Sequence, residues 1–267
     1  MKIGCPVILY LFIFGFLFCF MVNLTEQVDG SYVLVSSVTD FCGSMGYCEF
    51  RIKYLLEGIK PPQTELTLVG TKAHKKEEDY EKEHVEFEPL TLEKLEDKKK
   101  DIEFARESVF TRYQTTLSLD EGILTILLFG KADKILRSNE LLIDEDSKFP
   151  KNPWRYLKIN EPFEGQKMQT LVYVNSQFSE NRSFGTDEWF EIPHKKKGWR
   201  INIKDLKTGN SIRLFEGIQT QHDKEILDNN IIRFSKLALG SILPLHHNNT
   251  NKCASCRFFS YCESKIC

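Results

Sequence analysis

The placement of eight cysteines constrains this chain more than any other feature. Cys5 and Cys19 lie inside an uncharged run from Cys5 to Val22 that follows Met1-Lys2 and carries Phe12, Phe14, Phe16, Phe18 and Phe20. A basic start before an apolar stretch predicts a secretory signal peptide over residues 1–22. The run is also close to membrane-spanning length, so the alternative is a single-pass anchor through residues 5–22. The other six cysteines are Cys42, Cys48, Cys253, Cys256, Cys262 and Cys267, an even set that predicts disulfides in an exported chain. Cys42 and Cys48 flank the turn-forming segment Gly43–Tyr47 and are expected to bridge each other. The last four form a C-x2-C-x5-C-x4-C tail, for which two internal bridges are expected. Two alternatives stay open: one zinc site with four thiolate ligands in the tail, or a zinc site drawing on His246, His247, Cys253 and Cys256. Three sequons, at Asn23, Asn181 and Asn248, agree with export and mark candidate glycosylation sites.

The rest of the chain reads as strand-rich. Residues 31–41 alternate and are β-branched, and residues 48–56 place Cys48, Phe50, Ile52 and Tyr54 on one face. Together they predict an antiparallel hairpin. Further strands are expected at Glu65–Val69, Phe110–Leu119, Gly122–Phe129, Trp154–Ile159, Thr170–Val174, Ile201–Ile203 and Ser211–Phe215. The apolar run Gly122–Phe129 predicts a central strand covered on both faces, and Trp154 is expected in the same core. Residues 223–240 are ambiguous between helix and strand. Residues 72–106 are 60% charged against 28% overall and predict a solvated loop, with a helical turn near Leu92–Asp97. Many short strands separated by turns predict an all-β antiparallel sandwich.

Chemistry is sparse in this reading. Catalytic serine, zinc-protease, phosphate-loop and EF-hand spacings are absent, and no catalytic residue is expected. Asp144-Glu145-Asp146 is a candidate calcium-binding loop cluster, set against a solvated acidic turn; no other cofactor is expected. The net charge of −2 argues against a nucleic-acid-binding role.

Three segments resemble the N-terminal module of Notch ligands of the Delta/Serrate/Jagged class: residues 31–56, 110–133 and 138–159. Glu140, Leu141, Leu142, Ile143 and Trp154 match in type and order. The resemblance implies a C2-like β-sandwich over 31–175, followed by a β-rich region over 176–252 and a cysteine-rich tail over 253–267. It also implies contact with a Notch-type receptor and apical loops able to touch lipid. Cys253 and Cys262 are spaced like the start of the family's DSL module, with Phe258 and Phe259 where paired aromatics occur. The tail departs from that module, since Cys256 is extra and Cys267 falls one residue late.

The functional expectation is therefore a secreted, disulfide-bonded, non-enzymatic signalling glycoprotein with an extracellular receptor as partner. The alternatives are a C2-like lipid-surface binder and a relative of TGF-β-type prodomains, the latter on Trp189 and Trp199 with β-rich flanks, although the mature cystine-knot domain is absent and Lys195-Lys196-Lys197 is only the nearest approach to a basic processing site. Phe258 and Phe259 are either binding anchors on a stapled knob or aromatics folded back onto the sandwich.

Overall fold

The structure, a computed structural model, describes residues 22–84, 104–138, 141–179, 189–192 and 194–266. Residues 1–21 of the expected 1–22 signal, the helical turn near Leu92–Asp97, the sequon at Asn181, and Cys267 lie outside these residues. Among the described residues no helix is long and apolar enough to cross a membrane.

The fold is mixed α/β rather than an all-β sandwich. Among the described residues, eight strands form one sheet: β1 (Asn23–Glu26), β2 (Tyr32–Ser37), β3 (Phe104–Leu119), β4 (Gly122–Ser138), β5 (Leu141–Lys148), β6 (Gln177–Ser179), β7 (Lys196–Lys204) and β8 (Ser211–Ile218). The helices are α1 (Val38–Gly46), α2 (Arg51–Leu56), α3 (Glu65–His84), α4 (Glu164–Val174), α5 (Gln221–Ala238) and α6 (Thr250–Ala254), with a 3-10 helix at Pro153–Lys158. Strand β2 runs parallel to β4, and β5 runs parallel to β7. Parallel neighbours need a crossover, and helices supply it. That requirement excludes the purely antiparallel sandwich. Strands β7 and β8 extend the sheet that β5 belongs to, so the sheet runs continuously across residue 175.

Strand β4 organises the sheet. It pairs with β3 between Gly122 and Arg137 on one edge. The other edge is shared: β2 pairs along Leu124–Phe129 and β5 along Lys134–Ser138. Between these two partners the register leaves residues 130–133 of β4 at a fork, where the C-terminal ends of β2 and β5 face each other. A fork of this kind leaves a crevice at strand C-termini, the place where α/β sheets bind ligands.

Four expected strands are helical instead. In α2, Ile52, Tyr54 and Leu55 are buried, a helical grouping over too few turns to be told from alternation. Glu65–Val69 opens α3, and Thr170–Val174 is the last half of α4. Helix α4 is buried over Leu171–Val174 because it lies between the sheet and helices α1 and α5. The segment beginning at Trp154 is a 3-10 turn with Pro153 at its start. Pro153 and Tyr156 face inward at the three-residue spacing of such a turn, which leaves Trp154 57% exposed and outside the core expected for it. Strand β4 is buried through Leu124, Ile126 and Leu128, whereas Ile123 is 55% exposed, so it is not covered on both faces there.

The charged stretch is also partly corrected, since its first part continues α3 to His84 rather than forming a loop. Residues 223–240 resolve as α5, whose Leu227, Ile231, Phe234 and Leu237 make one buried stripe. Thr220 and Asp223 form a reciprocal capping box at its start. Helices α1 and α4 touch at two glycines. A Cβ on Gly46 would sit 2.5 Å from Gly165 Cα, so only glycine permits this approach.

Candidate active site

The crevice at the fork is a cavity of about 270 Å³ lined by Ser37, Thr39, His74, Phe129, Gly130, Lys131, Asp133, Asp146, Lys148, Gln169 and Tyr173. Strand β5 supplies its centre. Alternation puts Leu142, Asp144, Asp146 and Lys148 on one side of the strand, and the first three are at most 2% exposed. The acidic triplet is therefore neither a loop nor a solvated turn. Glu145 points the other way and joins Arg200 at 3.0 Å.

Asp133 comes from β4, one residue before the Lys134–Glu145 register pair. It accepts from Ser147 N at 3.1 Å and lies 3.4 Å from His74 Nδ1, a residue of α3. Lys148 Nζ lies 2.6 Å from Asp146 Oδ2 and donates to Gln169 Oε1 at 3.1 Å. Gln169 Nε2 in turn donates to Tyr173 Oη at 3.3 Å. Gln169 and Tyr173 are four apart on α4 and therefore project side by side. Gly130 makes room for Tyr173, since a Cβ there would lie 2.5 Å from its ring. Beyond this chain of contacts Ser147 Oγ donates to Glu77, which also pairs with Lys204.

The electrostatics are unbalanced. Burial, then Asp146 and Asp133, push the Asp144 carboxyl well above the usual carboxylate range. Burial also pushes Asp146 up to about 7, with Asp133 adding to the rise and Lys148 opposing it. Burial pulls the Lys148 ammonium down, but Asp146 and Asp133 outweigh it and leave it above its ordinary value. His74 is held low by burial and by Lys148. Both carboxylate oxygens of Asp144 are buried with no hydrogen-bond partner. A buried carboxylate left this way costs several kcal/mol unless it is protonated or given a cation.

Cys42, Cys48, Cys253, Cys256 and Cys262 are all free thiols. Cys42 is buried in α1, its thiol raised by burial on the side where Lys148 and Asp146 are felt. Cys48 sits elsewhere, its thiol raised by burial and by neighbouring Cys256 and Cys262. The segment expected as a hairpin joining Cys42 and Cys48 is instead α1 and the start of α2. The tail folds onto this helical pair: Tyr47 Oη donates to Lys252 O at 2.6 Å, and Phe258 stacks on Tyr54 with ring centroids 5.7 Å apart. Phe258 is 1% exposed, so it is a core residue and not a displayed anchor; Phe259 is half-buried. Cys253 Sγ lies 3.9 Å from His247 Nε2, while His246 turns to Ser264 O and Asn248. Cys48 thus has Cys256 and Cys262 as neighbours, while Cys253 faces His247. Among the described residues, neither these thiols nor the carboxylates stand in groups of three at ligating geometry. Of the sequons, Asn23 opens β1 and Asn248 has positive φ; both are exposed.

Sequence reasoning passed over Asp133, Lys148, Gln169 and Tyr173. The available signals were an Asp-x-Lys at the end of an alternating strand and a Gln-x3-Tyr on the next helix.

No family model and no curated protein matches the chain. Among solved structures it is similar to the protein SSO0001, at 15% identity and a TM-score of 0.47 over 87% of this chain and 88% of that one. It is also similar to a candidate exonuclease from Eubacterium rectale, at 14% identity and a TM-score of 0.44 over 100% and 95%.

Proposed function

We propose that the chain is an enzyme that hydrolyses phosphodiester bonds of nucleic acid with a divalent cation, acting at Asp133, Asp144, Asp146 and Lys148. The observation that carries this reading is Asp144, whose two buried, unpartnered oxygens lie on the same strand face as Asp146 and Lys148, which line the cavity together with Asp133. An all-oxygen donor set suits magnesium or manganese, which bind through a few carboxylates together with substrate phosphates. Asp146, with Asp144 behind it, would offer the cation a carboxylate, the rest of its shell coming from water and substrate phosphates. When bound, the cation would polarise a phosphoryl oxygen and acidify water.

The chain's own residues supply the rest. Lys148 is a compact charge held by Gln169, and Tyr173 holds Gln169 in turn. It stabilises the negative charge that builds on phosphoryl oxygens during displacement. Net charge is a poor guide here because it averages the whole chain, whereas Lys131 and Lys148 both line the cavity. The sandwich expected to carry the Notch-type receptor role is absent.

The test is incubation of the purified chain with end-labelled single-stranded and duplex oligonucleotides in magnesium or manganese. Hydrolysis is expected, lost with chelator and reduced roughly 100-fold or more by Asp146→Asn or Lys148→Met. No cleavage of DNA or RNA with either cation, or cleavage indifferent to Asp146→Asn, overturns the proposal.

A further inference from the structure

Beside the cavity the sheet carries an aromatic and cationic cluster that the chemistry above does not use. Phe129 on β4 lines the cavity, and the register places Arg112 of β3 directly opposite it. Opposite residues in an antiparallel pair share a face. Trp189 lies against both: its ring centroid is 6.1 Å from that of Phe129, tilted by 56°, and the Arg112 guanidinium sits 4.7 Å from the Trp189 ring centre. Arg112 Nη2 donates to Gln177 Oε1 at 2.7 Å, and Gln177 is its register partner on β6. The guanidinium plane is thus fixed by a stack and a hydrogen bond, while its buried Nε finds no partner. Phe129, Trp189 and Arg112 are each half-buried, so each keeps a surface toward solvent.

We propose that Phe129, Trp189 and Arg112 form a stacking platform for an unpaired nucleobase flanking the phosphate at Asp146 and Lys148. This rests on the phosphodiesterase reading of that site. Aromatic faces and guanidinium planes are the surfaces on which unpaired bases stack, and they do so with little sequence preference. A base still paired in a duplex has no free face to offer, so the platform favours a strand whose bases are splayed at the site. A platform on the same sheet as the phosphate chemistry also fixes the strand's register, because the base and the phosphate are then gripped together. A purely structural cluster would serve only to fasten Trp189 to the sheet.

The experiment is binding of a single-stranded oligonucleotide in chelator, where hydrolysis is suppressed, read by tryptophan fluorescence and by titration. Base stacking should quench Trp189, and Trp189→Phe should remove the quenching while retaining most of the affinity. Trp189→Ala should weaken binding roughly 5- to 100-fold. An oligonucleotide bearing abasic sites should bind the wild-type chain more weakly by a similar factor and lose no more on Trp189→Ala. That comparison on the wild-type chain holds even if the alanine variant folds poorly. Equal binding of intact and abasic strands by the wild-type chain, or quenching that survives Trp189→Phe, overturns the platform. If quenching and abasic discrimination are present but no cation supports cleavage, the platform stands and the hydrolytic reading falls. Cleavage without abasic discrimination removes the platform and leaves the hydrolytic reading standing.

Discussion

Lys148 lays its ammonium 2.6 Å from the carboxylate of Asp146, two residues earlier on the same strand. Residues two apart on a strand share a face, so this ion pair is built into β5 before any helix packs on it. Asp144, two residues further back, repeats the placement without a lysine of its own. Lys148 therefore serves two buried acids, with half-buried Asp133 arriving from β4 as a third.

That shortage of positive charge should be visible as a pH dependence. The folded-state value of Asp146, about 7, lies above the ordinary aspartate value of 3.8. A raised value favours the protonated folded form, so the contribution is full below pH 4 and is lost as pH rises through 7. The shift corresponds to at most about 4 kcal/mol. Denaturant unfolding in chelator should show lower stability at pH 8 than at pH 5, with the difference reduced in Asp146→Asn and by added magnesium or manganese. Identical profiles for wild type and Asp146→Asn would remove the charge-crowding account.

Asp144→Asn should separate stability from function. The amide has the shape of the carboxyl but no charge to bury, so the melting temperature at pH 8 in chelator should stay level or rise. The same substitution should abolish the rise in melting temperature that manganese gives the wild-type chain. A variant that still responds to manganese would place the cation elsewhere.

Two aromatics should respond oppositely to truncation. Phe258→Ala empties a buried stack against Tyr54 and should cost about 3–5 kcal/mol. Trp154→Ala removes a ring that is 57% exposed and should cost less than about 1 kcal/mol. Chemical denaturation of both variants checks the pair, and a large loss for Trp154 would mean that its ring is covered in solution.

The thiols should differ in reactivity by position. Non-reducing peptide mapping should recover Cys42 and Cys48 unlinked to each other, and Cys42, buried in α1 with its thiol raised by burial, should be alkylated more slowly than half-buried Cys48. Recovery of Cys48 linked to Cys42 would instead restore the hairpin bridge.

Much of the sheet is legible locally. Residues 31–41, 110–119, 122–129 and 211–215 alternate or run apolar, and each contributes to a strand. The turn Lys207-Thr208-Gly209-Asn210 joins β7 to β8, with Gly209 at φ 74°. The helices at 51–56 and 170–174 are not legible, because over five or six residues a buried face has the same apolar composition whether its period is 2 or 3.6. Phe258 and Trp154 exchange their expected places for a related reason: burial depends on what covers a residue, and the covering elements are distant in the chain.

The site divides along the same line. Asp144, Asp146 and Lys148 on one face, and Gln169 beside Tyr173, follow from local geometry once strand and helix are granted, so the sequence by itself determines these pairs. It could not determine that they meet. The fork where β2 and β5 share one edge of β4, the arrival of Asp133, and the union of Cys48 with the tail cysteines all depend on tertiary structure. Parallel pairing joins segments separated by whole helices, and the burial that raises the carboxyls exists only after those helices have closed over the sheet.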